Sequence, residues 1–252
     1  MEASRIAVQL YTLRDFCQTK EALRESLRKV KEIGYQAIQV SGIGPISHED
    51  VKACADEFGL TICATHVSYE SMQQELEEVV RQHQLWNCKY VGLGGIPNEY
   101  RTGGGYDAFA KEASEIGKRL QEYGLQFIYH NHHFEFQKFE GVTGMERLLQ
   151  HSDKAAFGFE IDTYWVQAGG ANPVDWIYKV DGRMKVIHLK DMAIIDNKQV
   201  YAEIGEGNLD FSKIIQACRD TGVEWYIVEQ DDCQRDPFES LAISWRNLQQ
   251  FL

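Results

Sequence analysis

Five apolar stretches of this chain run into side chains that can hold a cation or carry a proton. Tyr129-His130-Asn131-His132-His133-Phe134-Glu135 ends one, Glu160-Ile161-Asp162-Thr163-Tyr164-Trp165 another, His188-Leu189-Lys190-Asp191 a third and Glu229-Gln230-Asp231-Asp232 a fourth, while a fifth stops at His66. Side chains alternate along an extended strand, so His130 shares a face with His132, Glu160 with Asp162, and His188 with Lys190. Brought to one mouth, the carboxylates repel one another and each loses hydration. A divalent cation removes that conflict, and mixed imidazole and carboxylate donors suit Mn2+, Fe2+, Co2+, Ni2+ or Zn2+ better than Ca2+. The expected donors are an acid from the Glu160–Asp162 stretch, His188, Glu229 and a histidine of the His130–His132 stretch. Lys190 either neutralises Glu229 or Asp162 or, as an ammonium at the mouth, polarises a carbonyl. His133 and Asn131 are expected to point outward, and Asp191 to cap a turn.

Such residues need strands to aim them. Runs rich in Val, Ile, Tyr and Phe recur at Ile6–Leu10, Tyr35–Val40, Thr61–His66, Cys88–Leu93, Leu125–His132, Phe157–Asp162, Met184–Lys190 and Trp225–Gln230. Their starts are spaced as strand–helix units require. Helical periodicity fills the gaps at Lys20–Ile33, Val51–Phe58, Met72–Trp86, Tyr106–Tyr123, Gly144–Gln150, Pro173–Lys179, Phe211–Thr221 and Pro237–Phe251. Gly34, Gly59, Gly124 and Gly222 stand where helices stop. Helix, glycine, strand, many times over, predicts a parallel sheet, here an α/β (β/α)8 TIM barrel forming one domain over residues 1–252. An open doubly wound sheet is the competitor, but no GxGxxG follows the first strand. Gly103–Gly105 reads as a loop.

Composition bounds the function. The chain has 252 residues, 44% of them hydrophobic and 25% charged, with 26 Lys and Arg against 38 Asp and Glu, a net charge of −12. An acidic surface repels phosphate, so nucleic acid is not an expected partner. There is no basic segment followed by an apolar leader and no long apolar run, so no membrane association is expected and a cytoplasmic location is. The six cysteines lack a CxxC pair and are expected to be reduced thiols.

In order, Tyr-His-Asn-His-x-x-Glu-Phe, Glu-x-Asp-x-x-Trp, His-Leu-Lys-Asp and Gly205-Glu206-Gly207 resemble the xylose-isomerase-like TIM-barrel superfamily. Within it, the chain is similar to proteins called sugar phosphate isomerase/epimerase, near inosose dehydratase and the ketose 3-epimerases. The resemblance implies a divalent metal, Mn2+ first, then Co2+, Fe2+, Zn2+ or Mg2+, held by one residue on each of the last four strands. Asp162, His188 and Glu229 match three of those positions; His130 stands where the family carries a glutamate, and Glu160 is the other candidate for the missing carboxylate. Two same-face residues of one strand lie roughly 6.6 Å apart, so Glu160 must bend towards the ion or Asp162 must serve behind a ligand histidine.

The resemblance further implies proton abstraction beside a carbonyl, with His130, His132, Glu229 and Lys190 as catalytic candidates and a metal-dependent sugar isomerase or epimerase as the first expectation. Replacing a glutamate by His130 unsettles a two-carboxylate proton exchange. The alternative is therefore a lyase of the inosose-dehydratase kind, or an eliminase acting on 3-keto-glycosides, with an imidazole as base and acid. Tyr11, Gln39, His66, Tyr164 and Trp165 are candidate walls for a sugar. No cluster of Arg or Lys converges to hold a phosphate, and Arg183 belongs at the other end of the barrel. A non-phosphorylated sugar or cyclitol is the expected partner, with a homo-oligomer possible. Two readings outside this class are a non-catalytic sugar-binding subunit and a DNA-repair endonuclease, the latter opposed by the negative charge.

Overall fold

The computed structural model describes residues 1–252. Eight strands, β1 (Ile6–Gln9), β2 (Ala37–Val40), β3 (Thr61–His66), β4 (Tyr90–Leu93), β5 (Gln126–His130), β6 (Phe157–Asp162), β7 (Val186–Leu189) and β8 (Trp225–Val228), close into a barrel. Each pairs in parallel with its neighbours in chain order, and β8 returns to β1 through Ile6–Tyr226, Ala7–Ile227 and Val8–Val228. This is the (β/α)8 TIM barrel expected from the strand–helix alternation. Residues of period two split each strand between an outer face, which meets the helices, and an inner one.

The inner face has two storeys. Ala7, Ala37, Cys63, Ala64, Tyr90, Ile128, Val186 and Ile227 form a separate apolar cluster in the lower storey. Two positions further along most strands, the inner residues become Gln9, Gln39, His66, His130, Glu160, His188 and Glu229. The register aligns them: Gln9 lies beside Gln39, His130 beside Glu160, and Asp162 beside His188. The polar storey sits at the C-terminal ends of the strands, the end where barrels of this kind do chemistry.

The helices follow ordinary end chemistry. The helix Lys20–Ile33 starts where Ala22 N–H donates to the Thr19 hydroxyl at 3.2 Å and buries Leu23, Leu27 and Val30. It stops at Gly34, whose φ of +126° suits glycine and where a Cβ would fall 2.6 Å from the Trp245 ring.

Several boundaries differ from the sequence expectation. Gly103–Gly105 is no loop: it is the first turn of the helix Gly103–Gln121, capped by Thr102, and a Cβ at Gly105 would sit 2.4 Å from the Tyr100 carbonyl. The glycines serve close approach. The expected helix Met72–Trp86 is two, Tyr69–Gln74 and Leu76–Trp86, broken where Glu75 turns to φ −128°. β5, β7 and β8 end one or two residues early because the ladder stops at His130, Leu189 and Val228. The short helix Thr163–Ala168 and the hairpin of Asp191–Ile195 with Lys198–Ala202 have no counterpart in the sequence reading. The hairpin turn places Asp196 and Asn197 at φ +49° and +62°, the left-handed pair of a tight two-residue connection. No helix is long and apolar enough to cross a membrane.

Candidate active site

Strand β7 and the residues just beyond it form the hub. His188 is fully buried, with Nδ1 2.9 Å from Glu229 Oε2 and Nε2 2.6 Å from Gln39 Oε1 and 3.3 Å from Glu160 Oε1. On one side, His130, Asp162, His188 and Glu229 each present a donor atom, all within 4.8 Å of one another. Asp162 Oδ2 is 3.2 Å from His130 Nε2 and 3.8 Å from His188 Nδ1. On the other side, His66 Nε2 stands 2.7 Å from Glu160 Oε2, and Gln39 Nε2 donates to Glu160 Oε1 at 2.9 Å. Glu160 and Asp162 therefore face different groups, and the fourth member of the Asp162 set is His130.

The positions are fixed from behind. Asp162 Oδ1 accepts the N–H of Trp165 at 2.9 Å, capping the helix Thr163–Ala168, and the Asp162 N–H donates to Asn131 Oδ1 at 3.0 Å. Asn131, expected to point outward towards the helices, is fully buried, and His133 is exposed. Gln9 Nε2 donates to Gln39 Oε1 at 2.9 Å and so props the amide that orients His188. Asp191 gathers the N–H groups of Met192, Gly205, Gly207 and Leu209 at 2.7–3.2 Å, which explains the Gly-Glu-Gly motif: a Cβ at Gly207 would lie 2.4 Å from the Asp191 carboxylate.

Burial opposes every charge here, and partners decide the outcome. It would lower His188, but the Glu160 and Glu229 carboxylates hold that imidazole up at about 10. It would raise Glu229 and Glu160, but Lys190 and His188 pull the first well below the usual range, and His188 and His66 pull the second down. Asp162 stays raised, burial outweighing Lys190 and His188. Lys190 is fully buried, its Nζ 2.9 Å from Glu229 Oε2, 2.8 Å from Asp231 Oδ2 and 3.2 Å from Asp162 Oδ2, and these three carboxylates raise it despite desolvation. His130 and His132 behave oppositely. Burial lowers both, helped at His130 by His188 and His66 and at His132 by His130 and Lys190, so the two rings are neutral imidazoles.

A cavity of about 280 Å3 opens above this network, lined by Tyr11, Ser41, His66, Gly94, His130, His132, Glu229 and Asp231. The Nδ1 atoms of His130 and His132 are buried without a hydrogen-bond partner. Gly94 and Gly95 let the loop after β4 close on these rings, since a Cβ would meet His66 at 3.0 Å and His132 at 3.2 Å. Gln39, Tyr164 and Trp165, expected as walls, do not line this cavity: Gln39 is fully buried, Tyr164 packs against Tyr201 at 4.4 Å and Trp165 stacks on His133 at 5.0 Å. Gln9 escaped the sequence reading, which quoted Asp231, Asn131 and Glu135 within their motifs but gave them no part in the site. Asp231 shares a strand face with Glu229 and Gln9 closes an apolar strand, so periodicity held a signal for both; Asn131 and Glu135 follow the end of β5, where it holds none.

The donor set, two imidazoles and two carboxylates within reach of one point, fits a divalent transition-metal ion. A model of the xylose isomerase-like TIM barrel matches residues 27–247. The chain belongs to that family. An inosose dehydratase from Lacticaseibacillus casei is 26% identical over 152 residues, covering 53% of this chain and 50% of the relative, so the chain spans about half the length of the curated relatives it matches. Among solved structures, a sugar phosphate isomerase/epimerase from Parabacteroides distasonis superposes with a TM-score of 0.83 at 24% identity, covering 97% of each chain. A probable 3-DHS dehydratase from Bacillus anthracis gives 0.75 at 13% identity, covering 97% of this chain and 98% of the other.

Proposed function

We propose that this xylose isomerase-like barrel removes a proton from the carbon beside the carbonyl of a keto-sugar or keto-cyclitol and then expels the oxygen substituent one carbon further on. The observation that carries this reading is His132: a neutral imidazole, on the cavity wall, with Nδ1 unpartnered. The His132 imidazole takes the proton, the C–H pair becomes the new double bond, the C–O bond breaks, and the departing oxygen leaves with the proton His132 returns to it. His130, Asp162, His188 and Glu229 would hold a divalent cation, Mn2+ being our first choice, whose contribution when bound is to polarise the carbonyl as a Lewis acid. Glu160 then orients His66 and His188, and Lys190 neutralises Asp162, Glu229 and Asp231. The relatives that are dehydratases by name favour elimination.

Isomerisation or epimerisation uses the same first step and needs a second group to return the proton. Glu229, also on the cavity wall, favours that second reading. A panel of keto-sugars and keto-cyclitols in heavy water with added Mn2+ separates the two. Elimination gives an enone absorbing in the ultraviolet; epimerisation gives deuterium exchange without loss of the substituent. Neither signal across the panel overturns both.

A further inference from the structure

His132 is gripped twice, once by its backbone and once by its ring, and both grips end on Ile96 in the loop after β4. The backbone grip is buried. The His132 N–H donates to Glu135 Oε2 at 2.9 Å, the Tyr129 hydroxyl donates to Glu135 Oε1 at 2.5 Å, and the same hydroxyl accepts the Ile96 N–H at 3.1 Å. Glu135, Tyr129 and Ile96 are almost wholly removed from water, where an unpaired donor or acceptor is costly.

The ring grip reaches the surface. The His132 imidazole lies nearly parallel to the Phe134 ring, with 11° between the planes and 5.1 Å between centroids. The Arg101 guanidinium lies over Phe134, its Cζ 3.7 Å from the ring centroid. Its Nε and Nη2 both donate to the Ile96 carbonyl, at 3.2 and 3.1 Å. Gly95, next to Ile96, closes on the imidazole itself, where a Cβ would fall 3.2 Å away. Arg101 is exposed. A long side chain in that setting gives up rotamer freedom only where its contacts repay the loss, and a flat guanidinium stacked on an aromatic face and forked onto one carbonyl does so.

We infer that Arg101 is a positioning residue for His132: anchored on the Ile96 carbonyl, it holds Phe134 flat against the imidazole and so sets the plane of that ring at the cavity wall. This rests on the reading of His132 as the base. Neither Arg101 nor Phe134 lines the cavity, so the arrangement bears on the aim of the base and leaves substrate binding alone. Aim matters because a misplacement of about 1 Å costs about 10^2-fold in rate.

The test uses Arg101→Ala, which opens a guanidinium-sized gap at the surface, and Phe134→Leu, which keeps an apolar contact and loses the flat face. The first readout is the His132 ring signal of histidine-labelled protein by NMR, assigned through its loss in His132→Gln and recorded with Mg2+ in place of paramagnetic Mn2+. The second is kcat and KM on whichever keto-sugar or keto-cyclitol the unaltered protein converts. The ring signal should shift or broaden in both variants, and kcat should fall about tenfold or more with KM held within about twofold. Millimolar guanidinium ion should restore the signal and part of kcat in Arg101→Ala and do nothing for Phe134→Leu. A His132 signal unchanged in Arg101→Ala overturns the inference, as does a fall in kcat matched by an equal rise in KM. A signal that moves and is restored by guanidinium, with kcat unaltered or with no substrate converted by the unaltered protein, keeps Arg101 as the support of His132 and sinks the reading of His132 as the base.

Discussion

Arg183 at the base of the barrel and Lys190 at its mouth are both buried, and the two are held in contrasting ways. At the base, Arg183 donates to the carbonyls of Phe157 and Leu149 at 2.9–3.1 Å and to the Ser152 hydroxyl at 2.6 Å. At the mouth, Lys190 lies within 3.2 Å of three carboxylates, Asp162, Glu229 and Asp231. Desolvation acts on both, yet it prevails only at Arg183, which is lowered to about 10, whereas the carboxylates carry Lys190 upward. Neutral dipoles fix the guanidinium fork and bring no opposing charge; that is a staple for the ends of β6 and β7. Three carboxylates around one ammonium, with the Glu160 carboxylate beside the His188 imidazole, gather more acids than bases, an excess that a bound cation would offset. The excess distinguishes a site from a scaffold.

The largest predicted effect is on the excess itself. His188→Ala removes the residue both clusters share, and stoichiometric Mn2+ uptake, read by elemental analysis after dialysis, should be lost. Turnover should fall by about 10^3-fold or more, the scale for groups that stabilise charge as it develops. Unchanged metal content would break the assignment.

The next contrast exchanges the two cations. Arg183→Met leaves buried carbonyls without donors and should cost about 2–4 kcal/mol of stability by denaturant titration, with turnover per folded molecule and metal content unchanged. Lys190→Met leaves the mouth more negative, so added Mn2+ should raise its melting temperature by more than it raises that of the unaltered protein, the shift following saturation of the native state. Equal shifts would mean that Lys190 does not share the carboxylates with the metal.

The smallest effect concerns Glu135, buried behind the mouth, where its carboxylate accepts from Tyr129 at 2.5 Å and from the His132 N–H at 2.9 Å. Burial raises it to about 7, outweighing the Tyr129 hydrogen bond. A raised folded value means stability fully present below the ordinary carboxyl value of 4.5 and lost progressively as pH rises to about 7. Glu135→Gln should flatten that fall in a pH series of denaturation curves; a parent protein with no fall there would refute the buried carboxyl's role.

Strand order, the barrel and the convergence of a fifth-strand histidine, a sixth-strand acid, His188 and Glu229 were legible because alternation assigns each strand residue to a face and closure brings inner faces together; which acid and which histidine stayed open. What alternation lacks is reach. Glu160 shares a face with Asp162, but one strand step separates them, and Gln39 and His66 take Glu160 away from Asp162. The turn residues also exceed periodicity. Gly103–Gly105 spells a loop by composition but forms the first turn of a helix capped by Thr102, with room for no side chain at Gly105 beside the Tyr100 carbonyl, and Asn131 is buried where it accepts the Asp162 N–H.

Asp191 ties the foot of the hairpin Asp191–Ala202 through four backbone amides, and Tyr201, packed on Tyr164 at 4.4 Å, holds the returning strand near that knot. Trimming or lengthening the tip between Ile194 and Val200 leaves that knot tied. For evolution and for the engineer alike, this is an interchangeable attachment: new recognition elements can be grafted there while His188 and Lys190, on the other side of Asp191, stay where they are.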